Sequence, residues 1–271
     1  MVGMTKLFSS AMPFANLRSV RLHYALTGPD DAPVVVFSNS LGADLAMWNA
    51  QVPDFCRGYR VLRYDTRGHG QSSLPAGPHN LAAVAGDVLD LLDYLTIPVA
   101  SFCGLSLGGM TGLWLAGRAP KRIRKVIACS AAAKIGTQEI WNARIELVRR
   151  EGMAAVVPGI LERWFTPAFH TSSPETLQAM KRTLETVDVD GYVAGCVTVR
   201  YADLRDGLAT VTVPTLIVNG ATDPVTPPAD GRALAAQIPK AQYAEFAGKH
   251  LFNMEAAPDF NAAVLAFLAA S

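Results

Sequence analysis

Short apolar runs alternate with amphipathic stretches through the first half of the chain, and that rhythm predicts strands alternating with helices. Residues 20–26 alternate as an edge strand does. Residues 34–37, 60–64, 99–103 and 125–130 form apolar or mostly apolar runs expected as buried strands. Helical spacing is found at residues 51–55 and 81–95, and again in the apolar stretch after Gly108 and Gly109. Strand and helix in this order point to an α/β fold with a parallel, doubly wound sheet. The rhythm breaks over residues 134–205, where helical stretches (139–150, 153–165, 174–187, 192–201) follow one another without a convincing strand. It resumes with a strand at 215–219, a helix at 229–237, a short strand at 242–246 and a final helix at 257–269. The expected organisation is therefore a core of residues 12–133 and 206–271, with residues 134–205 as a helical cap. Residues 1–11 are read as an N-terminal extension.

One junction carries chemistry. The run 99–103 stops at Gly104, turns through Leu105-Ser106-Leu107 and continues past Gly108 into an apolar helix. This is G-x-S-x-G between a strand and a helix, an arrangement that holds a serine hydroxyl above the sheet edge. Glycine at 104 and 108 removes the Cβ atoms that would collide as the chain doubles back. Ser106 is the candidate nucleophile.

A serine hydroxyl needs a base. Of the five histidines, His250 follows a short strand and precedes the last helix, which is where a base would stand if the order is nucleophile, acid, histidine. His69, in Arg67-Gly68-His69-Gly70, reads as structural, and His23, His79 and His170 as surface or structural residues. Asp223, just past the strand at 215–219, is the candidate acid that would orient the imidazole; its alternative is a turn cap. Asp65 precedes the serine and reads as a structural loop residue. The backbone N–H groups of Leu107 and of Leu41, in Ser38-Asn39-Ser40-Leu41-Gly42, are the candidate oxyanion donors.

Composition narrows the partners. Fifty per cent of the 271 residues are hydrophobic and 17% charged, enough to fill a large core. Lys and Arg number 24 against 23 Asp and Glu, so nothing suggests nucleic acid or a membrane surface. No apolar run approaches the length of a spanning helix and the N-terminus makes a poor signal peptide, so the expected setting is cytoplasmic. The four cysteines (Cys56, Cys103, Cys129, Cys196) lack metal-ligand spacing, and those at 103 and 129 read as buried, reduced thiols. No metal or cofactor is called for.

With Ser106, Asp223 and His250 in place, the sequence resembles the α/β-hydrolase superfamily over nearly its whole length. More narrowly it is similar to the 3-oxoadipate enol-lactonases (β-ketoadipate enol-lactone hydrolases) in FSNSLGADLAMW (37–48), RYDTRGHGQS (63–72), FCGLSLGGMTGLWLA (102–116) and RWFTPAF (163–169). The resemblance implies an α/β-hydrolase fold and hydrolysis of a small carboxylated lactone through an acyl-enzyme in aromatic catabolism. It also implies a cationic partner for the lactone's carboxylate: Lys134 and Arg163 are candidates, with Trp164 as a wall, although each cation could equally be a solvated cap charge. Lys134 stands where the family suggests an arginine, and Phe252 stands where a small residue is usual; both are expected near the pocket. Similar sequences start near Met12. The same triad would serve a carboxylesterase, another lactonase, or a perhydrolase or acyltransferase. A ligand-sensing receptor on a hydrolase-like fold is the alternative from a different class. The expected partner is a small lactone or ester, and the chain is compatible with a homo-oligomer.

Overall fold

The computed structural model describes residues 13–270. Eight strands form one sheet: β1 (Phe14–Asn16), β2 (Arg21–Thr27), β3 (Val34–Ser38), β4 (Arg60–Tyr64), β5 (Ala100–Leu105), β6 (Ile123–Cys129), β7 (Thr215–Gly220) and β8 (Gln242–Phe246). Their spatial order is β1-β2-β4-β3-β5-β6-β7-β8. β2 runs antiparallel to both β1 and β4, and every other pairing is parallel. The expected doubly wound sheet is present. One expectation is corrected: residues 20–26 are not at the edge, because β1 pairs outside β2 and takes that place. A three-residue strand is too short to show any period, which is why the pattern missed it.

Strands β5 and β7 are buried along their whole length, as helices cover both faces. The helix Leu81–Tyr94 connects β4 to β5; the Asn80 side chain accepts from the Ala83 N–H (2.9 Å) and caps its start. The helices Leu107–Arg118 and Pro228–Gln237 return the chain to β6 and β8, and Ala257–Ala269 closes it.

From β3 the chain moves outward to β4, while β5 lies on the opposite side of β3. The loops leaving β3 and β5 therefore diverge and open a crevice at the carboxyl edge of the sheet, the position where open α/β sheets bind ligands. Leu41 and Ser106 stand on those two loops.

Between β6 and β7 lie Gln138–Glu151, Val157–Trp164, Pro167–Ser172, Pro174–Thr186 and Val189–Tyr201, with no strand among them. The single helix expected over 153–165 is divided: Met153–Ala155 is a 3-10 turn, and the longer helix begins at Val157 with Pro158 in its first turn, where the missing N–H costs nothing. Val189–Tyr201 packs against the loops that follow β3 and β4. A Cβ on Gly191 would collide with the Gly68 carbonyl, and one on Gly195 with Leu41, so glycine permits that approach. The expectation for residues 1–11 lies outside the described residues.

Candidate active site

The elbow is a product of close backbone packing. Ser106 has φ 57° and ψ −113°, an unfavourable conformation for a side chain with a Cβ. It is held by bonds on both sides: the Ser106 N–H donates to the Cys129 carbonyl (2.8 Å), and the Gly108 N–H donates to the Asn39 carbonyl (3.1 Å). A Cβ on Gly104 would collide with the Gly108 carbonyl, and one on Gly108 with the Ser38 carbonyl. These two glycines let the first turn of Leu107–Arg118 sit against β5 and the β3 loop. Among the described residues, neither the Leu41 nor the Leu107 N–H is engaged by a protein acceptor. Two such donors on adjoining loops are what an oxyanion requires.

His250 and Asp223 come from loops that follow neighbouring strands. Nδ1 of His250 is 2.8 Å from Oδ2 of Asp223, and both side chains are buried. A carboxylate can only accept, so Nδ1 carries the proton and Nε2 is the basic nitrogen. The rest of the Asp223 carboxylate is also engaged: Oδ1 accepts from the N–H groups of Val225 (2.8 Å) and Thr226 (3.2 Å), and Oδ2 from the Thr226 hydroxyl (2.7 Å). Burial pushes the Asp223 carboxyl up, but the His250 charge and these bonds outweigh it and hold the group below its ordinary value. Asp223 does cap its turn, and it meets His250 with the same carboxylate. Ser130 anchors the His250 backbone, its hydroxyl donating to the His250 carbonyl (2.9 Å).

Ser106 and His250 line a single cavity of about 330 Å³ together with Ser40, Leu41, Arg144, Arg163, Trp164 and Tyr192. Its lining comes from the loops after β3, β5, β7 and β8 and from the segment between β6 and β7. Its apolar walls include Ile135, Ile140, Trp141 and Ile160. Arg163 is held below the usual guanidinium range by burial first and then by the like charge of Arg144, effects that Tyr192 and Glu162 only partly offset. Two cations facing one apolar chamber leave it poised for an anion.

The sequence-based candidates are distributed as follows. Ser106, His250, Leu41, Arg163 and Trp164 line the cavity; Asp223 lies behind His250, and Leu107 in the turn beside Ser106. Lys134 is a correction: it is not among the lining residues, and its ammonium lies 3.6 Å from Asp203 in an exposed pair. The cation that sequence reasoning missed is Arg144. It sits one turn beyond Trp141 on Gln138–Glu151, with its guanidinium over the indole (5.3 Å). An arginine three residues after a tryptophan that this helix buries was the available signal. Phe252 is a second correction, since it stacks on Phe246 (6.1 Å) and packs edge-on against Phe260 (5.6 Å) in the core, away from the pocket. Asp65 and His23 form a separate buried pair (2.6 Å), with Asp65 also accepting from the Leu45 and Gln71 N–H groups, so this acid ties loops together. His69 is buried with Nδ1 3.1 Å from the Arg67 carbonyl. All four cysteines are free and buried.

A sheet of this order, a serine elbow and an acid-paired histidine define a hydrolase class, and a family description of the alpha/beta hydrolase fold matches residues 33–257. The chain belongs to that family. It is 42% identical over 251 residues to "3-oxoadipate enol-lactonase 2" of Acinetobacter baylyi, covering 93% of this chain and 94% of the relative. It is 40% identical over 240 residues to "3-oxoadipate enol-lactonase 1" of the same organism, covering 89% and 90%. Among solved structures, the enol-lactonase from Burkholderia xenovorans LB400 superposes with a TM-score of 0.94 at 42% identity, covering 95% of this chain and 100% of that one. Among the described residues no helix is long and apolar enough to cross a membrane.

Proposed function

We propose that the protein is a serine hydrolase that opens 3-oxoadipate enol-lactone to 3-oxoadipate. The observation that carries this reading is one cavity with a serine and a histidine on its floor and two arginines in its walls. The names of the relatives, at 40–42% identity over most of the chain, support it. Residues 134–205 act as the cap that closes the chamber.

In this mechanism His250 Nε2 takes the Ser106 proton as Oγ attacks the ring carbonyl. The N–H groups of Leu41 and Leu107 hold the developing oxyanion, and Asp223 stabilises the imidazolium. Collapse breaks the ring C–O bond, and the His250 imidazolium returns its proton to the leaving enolate oxygen, leaving a neutral His250, an acyl-Ser106 and an enol on the same molecule. The enol tautomerises to the ketone. Water deprotonated by His250 then attacks the acyl carbon, and Oγ regains its proton as the acid leaves. Arg163 and Arg144 receive the lactone's spare carboxylate, against Trp164. A guanidinium grips a carboxylate through two parallel bonds, which favours an acidic lactone over a neutral one. The reaction needs no metal or organic cofactor, and its setting is the cytoplasm.

The test is turnover of 3-oxoadipate enol-lactone by purified protein beside Ser106→Ala, with neutral esters and lactones in parallel. A higher kcat/KM on the acidic lactone, abolished in the variant, supports the reading. A preference for neutral esters would replace it with a carboxylesterase.

A further inference from the structure

The cap segment that carries Arg163 and Trp164 is bound to the loop that carries His250. The Lys249 ammonium donates to the Glu162 carbonyl (2.7 Å), and the Leu251 N–H to the Trp164 carbonyl (3.1 Å). Glu255 completes the junction by dividing its carboxylate between the two segments. Oε1 accepts from the Lys249 N–H (2.8 Å), while Oε2 accepts from the Thr166 N–H (3.0 Å) and from the Thr166 hydroxyl. Gly248, at φ 128°, gives the carboxylate room, since a Cβ there would lie 3.1 Å from Oε1 and 3.0 Å from the Phe252 Cβ. A charged acceptor used on both sides makes stronger bonds than a neutral one, and here they join residues 249 and 166.

We infer that Glu255 is a positioning residue that couples carboxylate recognition in the cap to the alignment of His250. Arg163 lies in the last turn of Val157–Trp164, three residues before Thr166. An anion drawn to Arg163 fixes residues 162–166. Glu255 passes that restraint to Lys249, and so to the neighbouring His250. An acidic substrate then gains rate as well as affinity, because its binding energy is spent on placing the base.

A chromogenic ester pair, p-nitrophenyl acetate and the p-nitrophenyl half-ester of succinate, tests this. The coupling rests on the reading of Arg163 as a carboxylate site, yet these assays need no lactone, so failure of the lactone reading shows separately as absent wild-type lactone turnover. Glu255→Gln should lower kcat on the half-ester about tenfold with KM nearly constant, and cost the acetate far less. Thr166→Val, which leaves Glu255 in place, should act in the same direction, and Thr166→Ser should recover the rate. In an Arg163→Met background, Glu255→Gln should cost the half-ester little more than it costs the acetate. Thermal melts identify any variant that fails to fold, in which case the other variant decides. Equal losses on both esters, a loss confined to KM, additive losses in the double variant, or no wild-type preference for the half-ester would each overturn the proposal.

Discussion

His250 and Asp223 meet through a 2.8 Å contact between buried side chains, although 27 positions separate them along the chain. The strands that deliver them, β8 and β7, are parallel neighbours, so their carboxyl ends bring both loops to the same edge. Every other strong contact of the carboxylate comes from Val225 and Thr226, within its own turn. The Asp223 carboxylate is therefore anchored locally and turns its remaining lone pair to His250.

Asp223→Asn tests that division. The amide still fits the turn but loses the charge that selects the Nδ1–H form, so kcat should fall by about 10³- to 10⁴-fold with KM little changed. The variant should also alter the acid side of the stability profile. Asp223 is held below its unfolded value, so its contribution is fully present above the unfolded carboxyl range of about 3.9 and is lost as pH falls through the lower folded value. Urea unfolding at a series of acidic pH values should show a shallower decline for Asp223→Asn than for wild type.

Ser130 combines two opposing effects. Its φ of 42° strains a residue with a Cβ, while its hydroxyl holds the His250 carbonyl at 2.9 Å. Ser130→Ala keeps the strain and loses the bond, for an expected destabilisation of about 1–3 kcal/mol from the unsatisfied buried carbonyl. Ser130→Gly loses the same bond but relieves a strain of about 1–2 kcal/mol. The glycine variant should thus be the more stable of the two in denaturant melts, and both should have lowered kcat.

Arg144 and Arg163, rather than Lys134, should set acid selectivity. Arg144→Met or Arg163→Met should each raise KM for the acidic lactone about ten- to a hundredfold, as loss of a charge-assisted contact of about 1.5–3 kcal/mol implies, with a much smaller effect on a neutral ester. Lys134→Met should leave KM for both within about twofold, because an exposed pair such as Lys134–Asp203 contributes little even to stability. Steady-state kinetics on the two substrates separate these outcomes.

Gly108→Ala should prevent the elbow from closing. Its Cβ would collide with the Ser38 carbonyl, a backbone group fixed in the β3 ladder, which cannot swing aside as a side chain could. The expected loss is about 3 kcal/mol or more, at the severe end for single substitutions, and circular dichroism melts measure it directly.

The strand-to-helix elbow at Ser106 and the loops that bring Asp223 and His250 together were legible along the chain because each has local signals: glycines around the elbow, Gly220 at the end of β7, and a loop between β8 and the last helices. Arg144 was not legible as a site residue. Helical spacing reports that it shares a side with Trp141, but not that this side overhangs Ser106 from another part of the fold. Phe252 was misjudged for the related reason that closeness to His250 in sequence says nothing of which way a side chain turns. It turns into the aromatic cluster of Phe246 and Phe260.

Period and punctuation therefore determined the α/β alternation, the serine turn and the helical interruption, since these are properties of a few neighbouring residues and of backbone sterics. The tertiary structure alone decided which cations face the chamber, where the edge of the sheet lies, and that Glu255 joins Thr166 to the His250 loop. Those depend on packing between segments far apart along the chain, 89 positions in the case of Thr166 and Glu255, and a linear pattern carries no record of their distance in space.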